Sequence, residues 1–145
     1  MKTPQDPQFA ERCRESFGRQ KAMALIGARL VAVGPGSAEV SLPWREDLTQ
    51  QKGFVHGGIL GMIADTACGY AAFSLMPAGC SLVTVEYKMN ILAPATSSLT
   101  ARGEVVKPGR TLTVARAEVY AQDGTHVATM QQTLMMLAGR PDHPE

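Results

Sequence analysis

Gly58-Ile59-Leu60-Gly61-Met62-Ile63-Ala64-Asp65-Thr66-Ala67-Cys68-Gly69-Tyr70-Ala71-Ala72-Phe73-Ser74-Leu75 is the stretch on which the fold turns. It is long enough for about five helical turns, and Pro77 and Gly79 stop it. Gly58, Gly61, Asp65, Gly69 and Ala72 recur at three- or four-residue spacing and share one stripe of small residues. Ile59, Leu60, Met62, Ile63, Tyr70 and Phe73 cover much of the rest. A helix apolar nearly all round is a buried one. Asp65 argues against a membrane span, because a charge near its centre costs roughly 2.5–3.5 kcal/mol on insertion scales.

The flanking chain supplies what buries it. Pro7 to about Phe17 reads as a short helix with Phe9, Cys13 and Phe17 on one face. Two strands follow, Gly27–Val33 and Ala38–Leu42, joined by a turn at Gly34-Pro35-Gly36-Ser37. Beyond the helix only strands are expected. Val83, Val85, Tyr87, Met89 and Ile91 alternate with polar residues until Pro94, and Leu99–Lys107 is the next strand. Lys107-Pro108-Gly109-Arg110 has the Pro and Gly of a type II turn before Thr111–Ala121. Asp123-Gly124 then signals a two-residue hairpin into Thr125–Ala138. The expected order is two strands, one buried helix and an antiparallel meander of four strands. A flat sheet cannot bury a helix on all sides; a curled one can. The expectation is one α+β domain over residues 1–145, with its core at about 28–137.

Composition excludes other classes. Hydrophobic residues at 45% and charged residues at 19% are ordinary for a folded soluble chain. A net charge of +1 argues against nucleic acid as a partner. Cys13, Cys68 and Cys80 form no C-x-x-C pair, which points to reduced thiols, a cytoplasmic setting and no structural metal. The polar, proline-broken N-terminus lacks a secretory h-region.

Gly53-Phe54-Val55-His56-Gly57-Gly58, with Asp65 nine positions after His56, resembles the HGG motif of PaaI-type hotdog thioesterases, in the 4-hydroxybenzoyl-CoA thioesterase superfamily. Leu82-Val83-Thr84-Val85-Glu86-Tyr87, Ala93-Pro94-Ala95 and Lys107-Pro108-Gly109-Arg110-Thr111-Leu112 extend the resemblance over approximately Ala28–Leu137. It implies a hotdog fold, a central helix wrapped by a curved antiparallel sheet. It also implies acyl-CoA thioesterase activity on aryl or medium-chain acyl groups, with coenzyme A as part of the substrate and no cofactor. The resemblance further implies a homodimer, usually a dimer of dimers, with a site shared between Asp65 of one protomer and the HGG loop of the other.

The residues make chemical sense on their own. Backbone N–H groups at Gly57 and Gly58 open the helix without intrahelical partners, and with the helix dipole they suit an oxygen gaining negative charge. His56 can bond substrate, fix the loop or simply pack the turn. An unpaired Asp65 in an apolar helix costs several kcal/mol; by resemblance it is nucleophile or general base. Burial would raise its pKa and a helix N-terminus lower it, and both directions stay open. Thr84 matches a position that orients the carboxylate or water, or is a plain strand residue. Gln50 stands where relatives often carry Asn and retains an amide able to hold water. Met62 is expected to shape the substrate pocket. Lys107 and Arg110 either meet CoA phosphates or are solvated turn residues.

Competing chemistries lack their residues. There is no G-x-S-x-G elbow, and His56, His126 and His143 have no metal spacing. Cys68, on an apolar helix, is expected to be an inert thiol. A hotdog dehydratase on acyl thioesters and a non-catalytic acyl-CoA binder remain as alternatives. The His56–Asp65 spacing fits thioesterases better than dehydratases, and the presence of Asp65 disfavours a mere binder.

Overall fold

A computed structural model describes residues 2–144. In chain order the elements are α1 (Phe9–Gly18), α2 (Lys21–Ile26), β1 (Arg29–Gly34), β2 (Ser37–Leu42), a 3-10 turn (Glu46–Leu48), α3 (Gly57–Phe73), β3 (Ser81–Ile91), β4 (Leu99–Lys107), β5 (Leu112–Ala121) and β6 (His126–Leu137). The expected helices and strands are present within a few residues of their predicted ends. One helix was not foreseen: α2, six residues closed by Gly27 in the left-handed conformation. Among the described residues, no helix is long and apolar enough to cross a membrane.

The six strands form one antiparallel sheet in the order β1-β2-β4-β5-β6-β3. This corrects the expected four-strand meander. Only β4, β5 and β6 follow one another; β3 leaves the helix, pairs with β6 and forms the far edge. The connector of residues 92–98 crosses back to place β4 beside β2. Leu92 and Ala93 donate to the Val127 carbonyl on the way, and Val55 donates to Ala95. The turn chemistry also differs at two points. Gly109 lacks the positive φ of a type II turn; a Cβ there would strike the Leu112 carbonyl oxygen at 2.0 Å. The Asp123-Gly124 hairpin has a three-residue loop, residues 122–124, because Ala121 and Thr125 close it and Asp123 Oδ1 accepts from the Thr125 N–H.

α3 meets all six strands, and eleven of its seventeen residues are buried. Its seat is a row of small inward-facing residues across the sheet. Ala38, Gly103 and Ala117 are direct neighbours on β2, β4 and β5, and they let the Ala67 backbone of α3 lie directly over Gly103. Arg12 of α1 holds the helix C-terminus, donating to the Phe73 and Met76 carbonyls with its guanidinium over the Phe73 ring. A cation at that end also complements the helix dipole.

A β-bulge in β3 decides which side chains reach the helix. Thr84 pairs with Leu134 and Glu86 with Thr133, so Val85 is the extra residue. The single alternating face read from Val83 through Ile91 is therefore split. Leu82 and Thr84 look onto α3 before the bulge, and Tyr87, Met89 and Ile91 do so after it.

Candidate active site

Asp65 sits half-buried on α3, beside the start of β3. Its Oδ1 accepts a hydrogen bond from Thr84 Oγ1 at 2.8 Å and another from Gln132 Nε2. Gln132 Nε2 also donates to Thr84 Oγ1 at 2.7 Å, which turns the Thr84 proton towards Asp65. Oδ2 accepts from none of the described residues. The arrangement is a carboxylate gripped through one oxygen and open at the other.

That carboxylate lines a cavity of about 270 Å³ between α1, α3, β3 and the C-terminal segment. Thr84, Leu82, Thr66 and Phe73 form walls near Asp65. Gly69, one helical turn beyond Asp65, has open space where a side chain would be. The far end is polar and internally bonded. Gln20 donates to the Tyr70 hydroxyl at 3.0 Å, Tyr70 and Ser16 share a 3.0 Å hydrogen bond, and Ser16 donates to Asp142. Burial pushes the Tyr70 hydroxyl up, against the opposing effect of Ser16 and Gln20.

The HGG loop forms a second group at the other end of the same helix. His56 is the N-cap of α3, and its Nδ1 accepts from the Gly58 N–H at 2.8 Å. That bond ties the imidazole of this exposed residue to the loop through Nδ1 and leaves Nε2 without a described partner. This corrects the expectation for Gly58, whose N–H is used within the loop. The Gly57 N–H donates to no described group. The helix rises about 1.5 Å per residue, so Gly57 lies about 12 Å along the axis from Asp65 of the same chain. One carbonyl group cannot touch both.

The other expected site residues fall elsewhere. Gln50 turns its Oε1 onto the Lys52 N–H, in a loop closed by the Thr49–Val55 bridge, and is not brought to Asp65. Met62 is half-buried against the core and does not line the Asp65 cavity. Lys107 and Arg110 are exposed, and Arg110 borders a different cavity with Gln5, Leu75 and Met136. Cys68, fully buried, is pushed up to about 12 by burial and then by the charge of Asp65, which suits an inert thiol.

Sequence reasoning missed Gln132. Its only signal is a break in the inward row of β6, where Ala128, Met130 and Leu134 are apolar and Gln132 is not. The polar far end of the cavity, from Ser16, Gln20 and Asp142, was also missed, because those residues read as surface positions.

Comparison with known proteins gives the family. A family model described as the thioesterase superfamily matches residues 52–128, just over half of the chain and including both the HGG loop and Asp65. A candidate esterase of Saccharolobus solfataricus is 32% identical over 100 residues, which is 68% of this chain and 71% of that protein. Among solved structures, a thioesterase family protein from Silicibacter pomeroyi is 51% identical with a TM-score of 0.86, covering 89% of this chain and 98% of that one. The E. coli PaaI protein from the phenylacetic acid degradation operon shares the fold at 22% identity and a TM-score of 0.82, covering 92% of this chain and 99% of its own. The hotdog architecture, the HGG-capped helix and the matched residues lead to one assignment: the chain belongs to the thioesterase superfamily.

Proposed function

We propose that this protein is a cytoplasmic acyl-CoA thioesterase, acting on aryl or medium-chain acyl groups, with Asp65 as the reacting carboxylate. The observation that carries this reading is the one-sided grip on Asp65. Thr84 and Gln132 occupy Oδ1, and Oδ2 is left for the reaction beside a cavity that can take an acyl group. That cavity, at about 270 Å³, exceeds the roughly 150 Å³ that suffices for benzene.

The site is completed by a second chain. β3 is the sheet edge and exposes Val83, Val85, Tyr87 and Ile91. Such an apolar edge calls for a covering strand. Pairing two β3 strands antiparallel about Tyr87 would run the Met89–Ile91 end of one beside Thr84 of the other. Ile91 lies against Gly57 in its own chain, so that pairing carries the HGG loop towards the partner's Asp65. The dimer then joins what 12 Å of helix separates. Two such dimers form the assembly we expect.

The chemistry follows. The Gly57 N–H at the helix N-terminus stabilises the thioester oxygen as it gains charge. In the general-base route water bonds to the carbonyl carbon, its proton passes to Asp65, the C–S bond breaks and the proton ends on the CoA sulfur. In the nucleophilic route Asp65 itself forms the C–O bond, CoA thiolate leaves, and water hydrolyses the mixed anhydride. Either way one thioester and one water give one acid and one thiol, without a metal or redox cofactor. His56 fixes the loop that presents Gly57, and Lys107, Arg110, Gln50 and Met62 are left for the CoA moiety or the partner-side wall.

The test is thiol release from acetyl-, hexanoyl-, benzoyl- and phenylacetyl-CoA. Asp65→Asn keeps the shape and removes the base, so kcat on the best substrate should fall at least 10²-fold, within the range of about 10²–10⁴ typical of such roles. No turnover by the wild type, or wild-type turnover by the variant, would overturn the reading.

A further inference from the structure

We infer that Gln132 is a positioning residue for the reaction, acting through Asp65 and Thr84; the inference rests on Asp65 being the reacting carboxylate. Gln132 is completely buried on the inward row of β6, between Met130 and Leu134. Its Nε2 makes both useful bonds, to Asp65 Oδ1 and to Thr84 Oγ1. Its Oε1 is buried with no partner. A buried amide oxygen without a hydrogen bond costs roughly 1–3 kcal/mol. Methionine or leucine would fill the same place beside Met130 and Leu134 at no such cost. Stability therefore does not account for the amide, and orphaned buried polar atoms call for another explanation.

The geometry supplies one. The two amide protons diverge to two acceptors, and the Thr84 hydroxyl, accepting from Gln132, spends its own proton on Asp65. The three groups close a triangle. A chain of bonds in which each polarises the next is stiffer than its separate members. Both donors land on Oδ1, so the carboxylate plane is set and Oδ2 is the oxygen turned free. Thr84 alone makes a single bond, about which the carboxylate can swing; it is also on an exposed edge strand. Gln132, anchored between β3 and β5 by pairing with Tyr87 and Ala115, ties that edge to the centre of the sheet.

Two substitutions test this. Gln132→Met keeps the volume and removes both donors. Gln132→Glu keeps the shape and sets an acceptor against the Asp65 oxygen. Each protein is assayed for thiol release with the acyl-CoA that the wild type turns over fastest, with melting temperature measured on the same preparation. We expect Gln132→Met to melt at or above the wild-type temperature while kcat falls between about 10- and 100-fold, the scale of a misplaced reacting group. KM should stay within about twofold. Gln132→Glu should lose at least as much kcat. In the Asp65→Asn background Gln132→Met should cost nothing further, because the residue acts through Asp65. Wild-type kcat per folded site in both Gln132 variants, or losses that simply track a lower melting temperature, overturns the inference. If Asp65→Asn is inactive in that case, only the positioning role fails; if Asp65→Asn is fully active, the catalytic reading itself has failed.

Discussion

Replacing Gly103 with alanine probes the tightest contact between helix and sheet. A Cβ there would stand 2.3 Å from the Ala67 carbonyl oxygen, 2.4 Å from its carbon and 2.8 Å from the Cys68 nitrogen. All three atoms are backbone, so no side chain can swing aside. To reach a carbon–carbon separation of about 3.5 Å, α3 must rise by about 1 Å from β4. Two effects oppose each other. Alanine restricts the unfolded chain and favours folding by about 0.5–1 kcal/mol. Overpacking costs about 1–3 kcal/mol or more, and with backbone on both sides its upper range applies. The net loss should be about 1–2 kcal/mol, which in a domain of this size lowers Tm by about 3–8 °C. Ala67 is two residues beyond Asp65, so the same lift draws the carboxylate away from Thr84 and Gln132. Turnover should fall about tenfold or more with it. Differential scanning calorimetry and thiol release on one preparation read both effects. A Tm at or above wild type would refute the seat as described.

Three further outcomes are expected. Gly57→Ala should lower kcat and kcat/KM together by about tenfold or more with little change in Tm, since the new methyl meets only the flexible Ile91 Cδ1 at 2.9 Å and Gly57 lacks a positive φ; unchanged turnover per folded site would remove the oxyanion role. Val85→Lys puts a charge on the exposed edge strand, so the protein should fold, sediment as a monomer and lose thiol release, and a fully active monomer would refute the shared site. Burial pushes Cys13 and Cys68 up from 9.0 to about 12 and raises Cys80. All three should therefore resist alkylation at pH 8 until guanidinium is added. Because these folded-state values lie above the unfolded ones, the stability they contribute is complete below about pH 8.5 and is lost as pH rises towards 12; a Tm that stays level from pH 8 to pH 11 would contradict this.

The helix and its aspartate were legible because each violates an ordinary expectation. An apolar run cannot be a surface helix, and a charge inside it demands a reason. Strand order was less legible, since alternation along Val83–Ile91 says nothing of which neighbour pairs with it, and the bulge at Val85 breaks that alternation without any glycine or proline to announce it. Gln131 and Gln132 are the same residue side by side. The one hint of which turns inward is the row of Ala128, Met130 and Leu134, and the pairing of β6 with β3 and β5 is what brings Gln132 to Asp65. Gly58 was legible as a helix start, but the claim of His56 on its N–H depends on a ring orientation that no spacing conveys.

The bulge at Val85 gives β3 two independent registers. The half before it serves the carboxylate, through Thr84; the half after it seats the start of α3, through Tyr87 against Gly61 and Ile91 against Gly57. Without the bulge, an unbroken pleat through the same letters would turn one of these halves away from the helix. Point substitutions upstream, by contrast, can retune the acyl cavity without disturbing the helix N-terminus. What joins the two halves on one face is thus a single irregularity, not the alternation of the letters.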